Sequence, residues 1–347
     1  MSATGQGHIA SETTGDVDSF DWRRVLRSMT LLEARFANGF LRCHPEKWFP
    51  GVGTRWSPIL SALGSDLRVG EIKPTLVLPD AQSLCFRGIF GGEPGIVAID
   101  SNSARIIAQE IAPGVTKPNE MHVVLEYVVQ RFLAIVGMCQ AGTDVAAVEV
   151  DGRCSSSDAK LVGSIKISFS LNSSPVSVLI GVGEKVAEMM DGLWRRQLHS
   201  AARMAHQPGT LRVEVAQLGV PPQMLSEYLS KGTVIDLEVP VSDAVTLRVG
   251  HKAFMPARLV EVEGRLGCQV IQGSLTNLAV PDGTSRLSIE LASMAADAAL
   301  LTELGQVGSV LVLDMAPGQQ VSIVINQEKV ADAKLCVYQG RFAVEVL

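Results

Sequence analysis

The last third of the chain contains two copies of one sequence unit. Residues 211–271 align with residues 287–347 without a gap at a shift of 76 positions, and 14 of the 61 aligned pairs are identical. Chance agreement at ordinary composition gives about four identical pairs. A duplication constrains the fold strongly, because both copies must form the same elements and bury equivalent faces.

Each copy predicts a strand, a short helix, further strands and a closing hairpin. In the first strand, Leu211 and Val213 alternate with Arg212 and Glu214, which is typical of a strand that is buried on one face only. The second copy repeats this alternation, and a short helix follows near Leu225 in the first copy. Both copies are therefore predicted to be mainly β.

The hairpin of each copy turns at Glu263-Gly264 or Gln339-Gly340, and an arginine follows each glycine at this corner. Glycine suits the positive φ that a tight primed turn requires. We therefore interpret four residues as structural turn residues without a chemical role: Gly264, Arg265, Gly340 and Arg341.

The two copies are expected to fold together. A unit of 61 residues buries only about 60% of the surface of its unfolded chain, so one copy alone is marginally stable. The polar linker 272–286 lets the repeats 211–271 and 287–347 cover each other's strand edges. We expect an intertwined pair about a pseudo-two-fold axis.

Residues 18–206 are predicted to form one α+β domain that precedes the repeats. Residues 1–17 contain too few apolar side chains to order and are predicted to be disordered. Apolar residues at helical spacing, through Phe36, predict a first helix that begins near Asp18 or Ser19. Later patterns predict helices over 101–111, 119–137 and 184–205, with strands that include 161–171 and 176–182.

The repeat resembles the SPOA (surface presentation of antigens) domain. Its strand–helix–strands–hairpin order and its late Gly-Arg corner carry the resemblance over about 210–347. Two tandem copies behind a larger N-terminal domain resemble the SctQ/YscQ/HrcQ/SpaO family of type III secretion, which is related to the flagellar switch proteins FliM and FliN. A flagellar motor switch (C-ring) component is the alternative.

The resemblance implies a cytoplasmic scaffold, peripheral to the inner-membrane secretion apparatus, rather than an enzyme. Such proteins form a sorting platform and oligomerise. Their partners are a ring-side adaptor of the SctK type, an ATPase regulator of the SctL type, chaperone-bound effector cargo, and a C-terminal SPOA fragment of the same protein. A start at Met255 would give such a fragment of 93 residues here, and a start at a valine codon is the alternative.

One strand of the second repeat is apolar on both faces: Leu335, Cys336, Val337 and Tyr338. Because alternate side chains point to opposite sides of a sheet, one of these faces must contact something other than water. Either the other repeat covers it, or it is a docking patch for a partner. In the flagellar relative that has one copy, the corresponding strand binds the ATPase regulator, so the resemblance favours the docking patch.

The sequence offers no catalytic, cofactor or metal motif. It contains no phosphate loop, dinucleotide fingerprint, nucleophile elbow or zincin motif, and its six cysteines are at least fifteen residues from one another. His199 and His206 share a helix face but have no further ligand near them. The net charge of −6 argues against a general nucleic-acid binder, and no apolar run is long enough for membrane insertion.

Overall fold

The computed structural model describes residues 17–41, 67–90, 92–139, 147–202, 208–274 and 283–347. The chain divides into two compact units, one formed by residues 1–31 with 198–347 and the other by residues 32–197. The predicted disorder of residues 1–17 lies, apart from Val17, outside the described residues, as does the middle of the predicted linker. The domain boundaries read from the sequence remain predictions.

The first described segment is extended rather than helical. It forms strand β1 (Val17–Ser19), a 3₁₀ turn (Trp22–Arg24) and strand β2 (Arg27–Met29) before helix α1 (Leu31–Phe36) continues into a π turn (Ala37–Leu41). The predicted helix is therefore wrong over residues 19–30. Phe20, Val25 and Leu26 were assigned to a helix face, but they pack against the core of the repeats while the backbone pairs with sheet edges.

The unit of residues 32–197 contains, among its described residues, one antiparallel sheet of six strands. In spatial order the strands are β3, β7, β8, β5, β4 and β6. Their bounds are β3 Leu67–Thr75, β4 Leu84–Phe90, β5 Glu93–Ile99, β6 Ala147–Cys154, β7 Leu161–Leu171 and β8 Ser174–Gly183. The helices are α2 Ser101–Ile111, α3 Pro118–Cys139 and α4 Glu184–Ala202.

Alternation along the strands separates the two faces of this sheet. Val97 and Ile99 lie in the core that the helices cover, whereas Ile96 and Ala98 lie in a smaller cluster with Cys85. The bounds of α3 agree with the predicted range 119–137 to within two residues at each end. Apolar residues lie almost all round this helix, which is typical of a buried helix.

The repeats form the second sheet. Their strands are β9 Gly209–Val220, β10 Val234–Pro240, β11 Ala244–Val249, β12 Lys252–Val262, β13 Arg265–Val270, β14 Ser285–Ala296, β15 Val310–Val312, β16 Gln320–Ile325, β17 Glu328–Tyr338 and β18 Arg341–Val346. The helices are α5 Leu225–Tyr228, after a 3₁₀ turn at Pro222–Met224, and α6 Ala298–Leu304.

The order of these strands is β10-β18-β17-β16-β14-β9-β11-β12-β13-β15. The 76-residue shift makes β9 to β13 the counterparts of β14 to β18, in that order. When every strand is replaced by its counterpart, the strand order is the same order read from the opposite end. The two first strands, β9 and β14, pair at the centre along almost their whole length. Each repeat also places one strand at the far end of the other, since β10 pairs with β18 and β15 pairs with β13.

The core of this unit draws on both repeats, and the tight corners lie at its surface. Leu211 and Leu287, counterparts in the duplication, are both fully buried in one cluster. Gly264 and Gly340 have φ values of 80° and 75°. A positive φ of this kind is accessible to glycine at little cost, which is the conformation that the turn prediction requires.

Candidate partner-binding edges of the repeat pair

The apolar strand singled out in the sequence is the C-terminal end of β17. Leu335 and Cys336 are buried, at 0% and 3% exposure, whereas Val337 and Tyr338 are half-buried. Leu335 belongs to the core shared by the two repeats, and Val337 packs against that core from its rim. The two residues of this group that retain exposure are therefore Val337 and Tyr338.

The other repeat does not pair with this end of β17. Its neighbours β16 and β18 belong to the same repeat: β18 pairs with Ala333–Tyr338 on one side, and β16 pairs with β17 on the other side only over Glu328–Lys334. Beyond that point β1 pairs with it in antiparallel register, with Val17 opposite Tyr338, Asp18 opposite Val337 and Ser19 opposite Cys336. The chain's own N-terminal segment thus pairs with the backbone edge of the strand on which the sequence analysis placed the docking patch.

The first repeat carries a second, equivalent edge. There β2 pairs in parallel with residues 260–262 of β12, which lie 76 positions before residues 336–338. Strand β11 ends its pairing with β12 at Arg258, so these residues extend past β11 as their counterparts extend past β16. Sequence reasoning missed this second edge because Glu261 interrupts the apolar run there.

Two aromatic residues anchor the segment between its strands. Phe20 and Trp22 are buried and pack edge to face, with ring centroids 4.6 Å apart. The Phe342 ring of β18 lies 5.1 Å from the Phe20 ring. Trp22 Nε1 donates a hydrogen bond to the carbonyl oxygen of Gly318 at 2.7 Å. A buried Trp that satisfies its N–H in this way gives both apolar contact and orientation.

A network of buried charges lies where the two repeats meet. Arg248 Nη1 is 3.5 Å from Glu214 Oε1, and Arg212 Nη1 donates to Glu290 Oε1 at 3.1 Å. Gln217 Nε2 also donates to Glu214 Oε2 at 2.7 Å. The strand pattern had placed Arg212 and Glu214 on a polar, half-exposed face, and that interpretation is wrong for Glu214, which is 4% exposed.

Burial raises the pKa of Glu214 to about 7, although the Arg248 guanidinium and the hydrogen bond from Gln217 act in the opposite direction. Burial also raises the pKa of Glu290. One feature of the sequence could have revealed this network. Glu214 and Glu290 are identical counterparts, whereas the neighbouring polar positions 212 and 217 differ from theirs.

A polar pocket of about 310 Å³ opens beside this network. Its lining includes Arg212, Arg248, Glu290, His251 and Gln327. Both arginines are paired with carboxylates, and the His251 ring hydrogen-bonds the Gln327 side chain. The pair of Arg212 with Glu290 joins the two repeats electrostatically.

The remaining predicted positions are dispersed. Met255 lies within β12, Arg341 contacts Asp236 of β10 at 2.6 Å, and Arg265 is exposed at its corner. His199 lies in α4, whereas His206 falls outside the described residues. Within the described ranges, no three His, Cys, Asp or Glu side chains are grouped to hold a metal, and no helix is both long and apolar enough to cross a membrane.

Residues 204–273 and 286–347 each match the family model described as the C-terminal domain of the type III flagellar switch regulator (C-ring) FliN. The coarser part of the resemblance, a chain that carries FliN-type SPOA repeats, is confirmed by this double match.

Two solved structures are similar at low identity. The FliM middle domain from H. pylori is 13% identical with a TM-score of 0.33, and the match covers 47% of this chain and 99% of that one. The FliM–SpeE complex from H. pylori is 13% identical with a TM-score of 0.30, over 43% of this chain and 90% of that one. No curated protein matches the chain.

Proposed function

We propose that this protein is a non-catalytic scaffold of a type III secretion cytoplasmic sorting platform. The double match to a switch-regulator domain supports the coarser statement, a structural component of a flagellar or secretion C-ring. One observation carries the narrower proposal: two repeats of this type lie in tandem in a single chain, behind a separate unit of residues 32–197.

In this proposal the repeats pair as an intertwined pseudo-two-fold unit. The symmetric strand order and the exchange of β10 and β15 between repeats support that pairing. The scaffold links a ring-side adaptor of the SctK type to an ATPase regulator of the SctL type, and it receives chaperone–effector cargo. It resides in the cytoplasm, peripheral to the inner-membrane apparatus, and it oligomerises.

Co-purification of the full chain with its neighbours tests the role. Genes for a secretion ATPase, its regulator and the adaptor are expected near this gene, and the three proteins are expected to co-elute with the chain. A chain that instead co-elutes with motor and chemotaxis proteins is a flagellar switch component, and this result would refute the secretion role.

The docking patch is tested by charge insertion at its two half-buried residues. Val337→Asp or Tyr338→Asp is expected to abolish binding of the regulator, since a charge on an apolar contact must be desolvated. Val330→Asp is the matched control, because Val330 lies on the same strand and is already 44% exposed. Unchanged regulator binding with a normal circular dichroism spectrum would remove the patch from the proposal.

An internal product from Met255 is also proposed. Such a product lacks β9, β10 and β11 and keeps β14. Its β14 then has no β9 to pair with and needs a strand from another chain, because an open edge of this length readily recruits one. Immunoblotting of a C-terminally tagged gene tests this, and a single full-length band would reject internal initiation.

A further inference from the structure

The N-terminal segment of residues 17–31, which we call the strap, contacts both repeats at equivalent positions. Strand β1 pairs with residues 336–338 and β2 pairs with residues 260–262, which differ by the 76-residue period of the duplication. Residues 260–262 lie beyond the end of the pairing between β11 and β12, and residues 336–338 lie beyond the end of the pairing between β16 and β17. The repeat pair thus presents two equivalent open edges, and one short segment fills both.

The directions of the two pairings fit a single peptide that crosses between equivalent sites. The strap runs antiparallel to β17 and parallel to β12. If the counterpart strands β12 and β17 run in opposite directions, a peptide that keeps one direction across both is parallel to one strand and antiparallel to the other. The strap therefore has the geometry of a ligand that spans both repeats, since neither repeat alone provides its whole site.

The contacts of the strap are concentrated in a few residues. Phe20, Trp22 and Met29 are each buried to 3% exposure or less. The side-chain amide of Gln319 donates to the carbonyl oxygen of Phe20, and the amide of Leu31 donates to Glu263 Oε1 at 3.1 Å. The main buried contacts are thus made by two aromatic residues, Phe20 and Trp22, which are separated by one residue. Strand β1 precedes them and strand β2 follows them.

The rest of the strap is held weakly. Its two strands are only three residues long, and Val17, Asp18, Ser19, Arg27 and Ser28 are all exposed. Strands in stable sheets are usually five or six residues long, and segments with few buried contacts open at low free energy. The two short strands therefore open at low free energy, whereas Phe20 and Trp22 hold the strap to the core that β9 and β14 form.

We propose that the strap is an internal, autoinhibitory ligand of a peptide site that both repeats create. When the strap detaches, the site binds an extended segment of a partner protein with the same chemistry: two aromatic residues separated by one residue, between short strand-forming runs. Main-chain pairing at the two edges supplies affinity, and the aromatic pockets supply specificity. The site includes Val337 and Tyr338 of the docking patch, so this inference deepens the proposed function and rests on it. The peptide measurement that follows requires no regulator, so it can fail separately from the proposed role.

A labelled peptide of residues 17–31, added to the full chain, tests the proposal by fluorescence anisotropy. The wild-type chain should bind it weakly, because its own strap competes at a high effective concentration. The double variant Phe20→Ala/Trp22→Ala should bind it at least about tenfold more tightly. Arg24→Ala is the matched control, because Arg24 is an exposed strap residue, and this variant should behave as wild type.

A covalent lock gives an independent measurement that does not weaken the anchors. Ser19 lies directly opposite the native Cys336. Opposite residues of an antiparallel pair have Cα atoms about 4.5–5.5 Å apart, which is within disulfide range. Oxidised glutathione should link position 19 of the Ser19→Cys variant to Cys336 within one chain. The reaction should be slow, because burial raises the pKa of Cys336 to about 11 and its thiol becomes accessible only while the strap is open. Asp18→Cys is the control, because its partner is Val337.

The locked chain should not bind the peptide, and reduction should restore binding to the wild-type level. Hydrogen exchange of residues 17–31 and 336–342 should slow together in the locked chain. Peptide affinity that is equal in wild type and in a folded Phe20→Ala/Trp22→Ala chain would overturn the proposal. A covalent dimer linked through position 19 and Cys336 would also overturn it, because the strap would then belong to another copy.

Discussion

The buried Glu214 should make the stability of the repeat pair fall as the pH rises. Its pKa is about 7 in the folded chain and 4.5 in the absence of burial. The folded state therefore keeps a proton that the unfolded state has released between these two values. The contribution of Glu214 is fully present below about pH 4.5 and is lost as the pH rises through about 7.

The size of the effect follows from the two pKa values. Each unit of difference corresponds to about 1.4 kcal/mol, so the shift from 4.5 to about 7 corresponds to about 3 kcal/mol at pH 8. The Glu214→Gln variant has no titrating group at this position and resembles the protonated side chain. The free energy of unfolding of the variant, minus that of wild type, should rise by about 3 kcal/mol between pH 4.5 and pH 8.

Urea denaturation followed by circular dichroism at several pH values measures this difference. Contributions from residues 32–197 are common to both chains and cancel in the subtraction. Glu328→Gln serves as the matched control, because Glu328 is an exposed carboxylate in the same sheet. A difference between Glu214→Gln and wild type that stays constant with pH, or that falls, would refute the reasoning.

Three further predictions concern other parts of the molecule. Gly264→Ala and Gly340→Ala should each lower the free energy of unfolding by about 1–2 kcal/mol in denaturant titrations, since both φ values are positive and no steric clash adds to the cost. Cys85 and Cys268 should react with iodoacetamide only after unfolding, because burial raises their pKa values to about 11 and about 12; rapid labelling of the native chain would disprove this. Asp100→Ala should cost about 1 kcal/mol in a thermal or urea melt, because its side chain caps α2 through the amides of residues 102 and 103; an unchanged melt would disagree.

Elements with a strong local pattern were predictable from the sequence. Strand β7 has the predicted bounds 161–171, and α3 exceeds its predicted range 119–137 by one residue at its start and two at its end. The duplication predicted the paired corners at Gly264 and Gly340, both of which have a positive φ. These elements are fixed by alternation, by helical periodicity or by backbone sterics, each of which acts over a few neighbouring residues.

The strap and the buried charges could not be predicted in the same way. Phe20 and Met29 fit a helix face by spacing, but they are buried by strands that lie more than 200 residues away in the sequence. Glu214 lies at a polar position of an alternating strand and is nevertheless buried beside Arg248. In both cases the decisive contacts are long-range, and a local pattern carries no information about them.

The exchange of β10 and β15 means that each half of the tail is completed by the other half. Covalent linkage within one polypeptide brings the two halves of each full-length chain together without a search. It also frees them to diverge independently, as at Arg248, whose counterpart is Val324. In an assembly of two identical subunits, any such substitution would be present in both subunits. The single polypeptide can therefore evolve different side chains at equivalent positions of its two halves, which a symmetric dimer cannot do.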